Sequence, residues 1–156
     1  MRIVTLTSNY IKDISTLCVD SFLDGEYSYY LQMKNLKGLD SFVDFCSVSN
    51  IKDKFDDKHI FLGAFDENTL IGVCCVNLKI GNILLLFVDK DYQNQGVGKF
   101  LLGKAEEIAK ERGLKKLTVD STHFGVRFYR ANGYKEVSKE QILSEGLIFT
   151  TMSKNI

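Results

Sequence analysis

The stretch from Phe87 to Leu102 concentrates residue types suited to holding a phosphate. An apolar strand, NILLLFV, runs into a polar loop. That loop carries Gln93-x-x-Gly96-x-Gly98 at the start of the most regular helical pattern in the chain. A helix N-terminus presents unpaired N–H groups and a partial positive charge. Glycines remove the side chains that would keep an anion from the backbone. Together they form a cradle fitted to a pyrophosphate, with Lys99 adding a cation beside it. Two other phosphate-binding patterns fail on these residues. A P-loop requires Gly-x4-Gly-Lys-[Ser/Thr], but Gln93 stands at its first glycine and Phe100 at its hydroxyl position. A dinucleotide fingerprint requires a third glycine where Leu101 stands.

The elements that must position this loop follow from hydrophobic periodicity. RIVTL alternates as a first strand. Ile11, Ile14, Leu17, Cys18 and Phe22 recur at helical spacing from Asn9 to Phe22. A second helix is expected within Leu36 to Phe55, with GEYSYY between the two as an aromatic loop or short helix. HIFLGAF, LIGVCCVNL and NILLLFV read as strands joined by short turns, hence as antiparallel neighbours. Val97 to Arg112 is a helix stopped by Gly113, and KKLTVDS is a strand that the crossover should set parallel to NILLLFV. HFGVRFYRANG predicts a short helix, and YKEV and LIFTTMS final strands. The order β-α-α-β-β-β-α-β-α-β-β is a mixed α/β sheet.

Composition bounds what such a fold can do. At 156 residues the chain is expected to form one domain, residues 1–156, with no need of disulfide or metal staples. Twenty basic residues balance 20 acidic ones, so no general nucleic-acid or anionic-membrane binder is expected. The longest apolar run, Ile83 to Val88, is far too short to span a bilayer. MRIVTLTSNY has no signal-peptide core, which makes the cytoplasm the default address. Cys18, Cys46, Cys74 and Cys75 lack C-x-x-C spacing and read as reduced, buried thiols. Cys74 and Cys75 should face opposite sides of a strand. With His59 and His123 as the only histidines, no metal site is expected.

A second block, Phe128-Tyr129-x-x-x-Gly133-Tyr134, follows the first by some thirty residues. The pair, in this order, resembles the GNAT superfamily of acyl-CoA-dependent N-acyltransferases. The first block matches that family's [Gln/Arg]-x-x-Gly-x-[Gly/Ala] loop, and the second matches its F-Y-x-x-x-G-[F/Y] signature. The resemblance is specific from Phe61 to Tyr134. It implies a GNAT-like sheet in which the fourth and fifth strands splay apart and the pantetheine arm of acetyl-CoA lies between them. Leu86, Phe87 and Val88 would then offer backbone groups to the pantetheine, with the amide of Val88 or Phe87 polarising the thioester carbonyl. Asn94, Gln95, Gly96, Val97, Gly98 and Lys99 would hold the pyrophosphate, with Gln93 shaping the turn. Tyr129 matches the tyrosine that protonates the departing thiolate, and Thr122 stands where many members place a pantetheine-binding Asn. The reaction implied is direct attack of a primary amine, of a small molecule or peptide, on acetyl-CoA without a metal. Family members are often dimers through their C-terminal strands.

The resemblance leaves the proton acceptor open. Leu117 occupies the strand-5 position of the glutamate found in enzymes that acetylate ribosomal-protein N-termini, and ILLLFV holds no carboxylate. Asp120 is the first candidate for the base, its other reading being a helix cap before HFGVRFY. His123 is the second, and a water chain is a third. The missing carboxylates also keep open a non-catalytic acyl-CoA-binding or regulatory domain. Residues 1–80 hold 8 basic and 11 acidic side chains and residues 81–156 hold 12 and 9, so the half expected to bind the polyanionic cofactor is net +3. Asp20, Asp24 and Glu26 flank Tyr27, Tyr29 and Tyr30 in the half expected to bind the acceptor. Carboxylates beside aromatic rings suit a cationic amine, and a solvated acidic face is the other reading.

Overall fold

A computed structural model describes residues 1–156. Strand β1 (Arg2–Thr5) leads through a 3₁₀ turn into the helices α1 (Ile11–Gln32), α2 (Leu36–Phe45) and α3 (Val48–Lys52). Strands β2 (His59–Asp66), β3 (Thr69–Asn77) and β4 (Asn82–Val88) follow as an antiparallel meander. Helix α4 (Val97–Glu111), strand β5 (Lys116–Ser121) and helix α5 (Gly125–Ala131) come next. The chain closes with the short β6 (Lys135–Glu136) and β7 (Gln141–Ile142) and the long β8 (Ile148–Asn155). The sheet order is β1-β2-β3-β4-β5-β8-β6, with β7 also paired to β8. β4–β5 is its one parallel pair, as the strand–helix–strand crossover predicts.

Strand alternation divides the core in two. Phe61, Val73, Cys75 and Leu85 face α1–α3, while Leu62, Cys74, Val76 and Ile83 face α4 and α5. Cys74 and Cys75 thus take opposite faces, and all four cysteines are buried and free. No helix is long and apolar enough to cross a membrane.

Two expectations need correction, both in the helical layer. GEYSYY is neither loop nor separate helix but the last third of the 22-residue α1. The stripe Ile14–Cys18–Phe22 continues at i,i+4 spacing through Glu26 to Tyr30, and all five are buried. A glutamate inside that stripe and Gly25 beside it hide the continuity from a hydrophobic pattern. The second expected helix is two, because Ser47 caps a new helix through Asn50 N–H and ends the first after Phe45.

Candidate active site

The gap between β4 and β5 is built by register. β4 pairs with β5 only at Asn82–Thr118 and Ile83–Val119. On its other edge the β3 register skips Leu84, a bulge between Cys75 and Val76 that bends β4 away from β5. Beyond it, Asp89 N–H donates to Ile71 C=O (2.8 Å), which makes Gly72–Val88 a non-hydrogen-bonded pair and Val73–Phe87 a bonded one. The N–H groups of Leu86 and Val88 therefore turn from β3 toward the gap, while that of Phe87 is committed to Val73. Of the two amides named as thioester polarisers, only that of Val88 is free to act.

The gap opens into a cavity of about 720 Å³ whose lining includes the N-terminus of α4. Gly96 caps α4 in the left-handed conformation (φ +85°), which disfavours any side chain. The first intrahelical bond is Phe100 N–H to Gly96 C=O, so the amides of Val97, Gly98 and Lys99 precede the ladder. A Cβ on Gly98 would lie 3.2 Å from the Phe128 ring, so glycine lets helix, ring and cavity meet. Gln93 Nε2 donates to Val88 C=O (3.0 Å) and folds the loop back on its strand. Leu86, Phe87, Val88, Gln93, Asn94, Gly96, Val97, Gly98, Lys99, Asp120, Thr122 and Tyr129 all line the cavity. Gln95 does not, since its Nε2 donates to Asp91 C=O on the far side of the loop.

Helix α5 supplies the tyrosine. Tyr129 is 6% exposed, lines the cavity, and makes no hydrogen bond to the protein through its hydroxyl. Burial, with Cys74 adding to it, pushes its phenol far above the ordinary range, so it stays protonated and able to donate. The other half of its motif is structural. Tyr134 is buried, donating to Glu106 Oε1 (3.0 Å) while Lys154 Nζ contacts both oxygens of that carboxylate (3.1 and 3.0 Å). This network ties the end of α5 to α4 and β8. Thr122 Oγ1 accepts Gly125 N–H (3.2 Å) and so starts α5 while lining the cavity.

Asp120 is not the helix cap. Its Oδ1 accepts from Thr151 Oγ1 of β8 (2.8 Å), and the residue is exposed at the cavity edge. His123 does not line the cavity; its Nδ1 is 2.6 Å from Glu140 Oε1 and its ring is stacked 3.7 Å from that of Tyr29. Tyr29 donates to Glu140 Oε2 (2.6 Å), a bond that holds its phenol up at about 12. The acidic and aromatic group on α1 separates by helical phase. Asp20, Asp24 and Tyr27 line a different groove, with Tyr10, Asp13 and Asp89. Tyr30 enters the core, accepting Ile148 N–H (2.7 Å). Of this α1 group Glu26 alone lines the cavity, 3% exposed, with Oε1 accepting Phe124 N–H (3.1 Å). Its place at i+4 from Phe22 on the buried stripe was the one sequence signal that could have found it.

Two splayed parallel strands opening onto a glycine-lined helix start, with a buried tyrosine below, are features of the GNAT acetyltransferases. A family model described as "Acetyltransferase (GNAT) domain" matches residues 30–156, and the chain belongs to that family. It is 33% identical over 97 residues to an uncharacterized N-acetyltransferase of Chlorobaculum tepidum, covering 60% of this chain and 59% of that protein. It is 36% identical over 83 residues to a spermidine N(1)-acetyltransferase of Thermoplasma acidophilum, covering 49% of this chain and 50% of the relative. The chain thus spans between 50% and 59% of the length of these two curated relatives. The PaiA N-acetyltransferase of Thermoplasma acidophilum, solved with coenzyme A, shares the fold over the whole of both chains (TM-score 0.81, 21% identity). A GCN5-related N-acetyltransferase from Rhodopseudomonas palustris shares it over 99% of this chain and 95% of that one (TM-score 0.86, 20% identity).

Proposed function

We propose that the chain transfers the acetyl group of acetyl-CoA to a primary amine of a small molecule or peptide by direct attack. The observation that carries this reading is the continuity of one cavity. It runs from the unpaired amides of α4, past the free amides of Leu86 and Val88, to the unpartnered hydroxyl of Tyr129. The pyrophosphate would rest on the N–H groups of Val97, Gly98 and Lys99, and the pantetheine would take the place of the strand missing beside β4. The Val88 amide faces the position where charge develops on the thioester oxygen. Tyr129 supplies a hydrogen bond to the departing thiolate. Its raised pKa makes complete proton loss costly, so it stabilises the thiolate mainly as a donor.

A small-molecule acceptor is favoured by the relative named as a spermidine N(1)-acetyltransferase and by the carboxylate and aromatic rings at the acceptor end of the cavity. The test is thiol release from acetyl-CoA across a panel of mono-, di- and polyamines and lysine-containing peptides. Turnover with one amine class establishes the reaction. Tight acetyl-CoA binding with no thiol release from any amine would replace it with an acyl-CoA-binding domain.

A further inference from the structure

We propose that the Glu26 carboxylate is the group that takes the proton from the acceptor ammonium, an assignment that rests on the acetyl-transfer reading above. Glu26 is a carboxylate brought almost wholly out of solvent, in a wall that includes Phe22, Phe42 and Phe124. Its Oε1 is satisfied by the Phe124 amide, but Oε2 is buried with no hydrogen-bond partner. A buried carboxylate oxygen left without a donor is costly, and the cost disappears when a donor enters the cavity. An alkylammonium provides that donor.

The surroundings of Glu26 suit proton exchange. Burial raises its pKa, opposed by the Thr122 hydroxyl, the Phe124 amide and the nearby His123, with Glu140 adding to the rise. Tyr29 and Tyr30 face it from its own helix, and Asp120 lies along the same cavity from β5. Thr122 opposes the shift without completing a hydrogen bond to Oε2. Beside the Phe22, Phe42 and Phe124 rings and out of solvent, the neutral pair of carboxylic acid and amine gains on the ion pair, so the transfer is easier there than in water. Asp120 has neither feature, being exposed and bonded to Thr151.

The protons balance as follows. One of the three ammonium protons passes to Glu26, and the freed lone pair attacks the acetyl carbonyl carbon. As the C–S bond breaks, a second nitrogen proton is lost and the thiolate is protonated, leaving the amide N–H and free CoA thiol. Glu26 then returns its proton to solvent. The ring of Tyr29, Glu140 and His123 positions this group indirectly, because it pins the segment that presents the Phe124 amide.

The pH dependence of kcat/KM for the amine tests the assignment, in the wild type and in Glu26→Gln, with acetyl-CoA binding measured by calorimetry on both. The amide side chain keeps an acceptor for Phe124 N–H. At neutral pH we expect kcat/KM to fall about 100-fold or more in the variant, with acetyl-CoA affinity within about twofold of wild type. The deficit should narrow steadily toward pH 10, near the amine's own pKa of about 10, where free amine no longer needs a base. Glu26→Asp should retain the acidic limb with reduced rate. A Glu26→Gln profile parallel to wild type, or loss of the acidic limb in Asp120→Asn alone, would overturn the assignment and leave acetyl transfer standing. Wild-type protein that binds no acetyl-CoA would overturn both. Should Glu26→Gln fail to fold, carboxyl NMR of the wild type decides: a glutamate titrating above the usual range and responding to added diamine supports the proposal. Ordinary titration with no response overturns it.

Discussion

The two ends of the cavity are made of different material. The end proposed for the cofactor is almost entirely backbone: unpaired amides of α4, free amides of β4, and glycines that leave them accessible. The end proposed for the acceptor is side chain: Glu26, Phe22, Phe42 and Phe124, with Tyr29, His123 and Glu140 bonded to one another behind the Thr122–Phe124 segment. A backbone site recognises what all its ligands share, here a pyrophosphate and a pantetheine amide. A side-chain site can be changed residue by residue without disturbing the sheet, which suits the part that selects an amine.

The comparison predicts where damage falls. Gly98→Val should strike the cofactor end hardest, lowering acetyl-CoA affinity about 100-fold, or about 2.7 kcal/mol, because the side chain enters the cradle and meets Phe128. Calorimetry on a variant with an unchanged circular dichroism spectrum checks this. Tyr129→Phe should lower kcat about 100-fold with acetyl-CoA affinity kept within about twofold, since the hydroxyl holds no protein group. Undiminished turnover over a range of amines would remove the tyrosine from the chemistry. Tyr29→Phe should act on the acceptor end alone. Losing its bond to Glu140 should raise KM for the amine about 2- to 10-fold and leave acetyl-CoA binding unaltered.

The smallest effect is on stability. Burial holds the Glu26 carboxyl above the range of an exposed glutamate, so the folded chain binds its proton more tightly than the unfolded chain does. The stability this contributes is complete below the unfolded pKa of about 4.3 and is lost as pH rises through the folded value. Wild-type Tm should therefore fall relative to that of Glu26→Gln as the pH is raised from about 4 to neutrality. Parallel Tm curves would mean that the carboxyl is not perturbed in the folded chain.

The same division explains what was legible in the sequence. The strand, loop, glycines and α4 lie within the continuous stretch from Asn82 to Glu111, so local pattern was enough to read them. Parallel pairing of β4 and β5 followed from the crossover between them, and Cys74 and Cys75 took opposite faces because strands alternate. The acceptor end joins residues 98 positions apart at Glu26–Phe124 and 111 apart at Tyr29–Glu140. No spacing rule links such residues. A hydrophobic pattern that ends the helix at Phe22 leaves Glu26 in an acidic aromatic cluster. Once α1 continues, helical phase sends Asp20, Asp24 and Tyr27 one way and Glu26 another. The free amide of Val88 was equally hidden, since it depends on which β3–β4 pair carries the hydrogen bonds.

The most direct test of a backbone-built cofactor end is calorimetric titration of the wild type and Gly98→Val with acetyl-CoA and with free CoA. The account predicts one site per chain, micromolar binding of both ligands to the wild type, and binding of both weakened about 100-fold in the variant. No binding of either ligand to the wild type, or equal binding to wild type and variant, would contradict it.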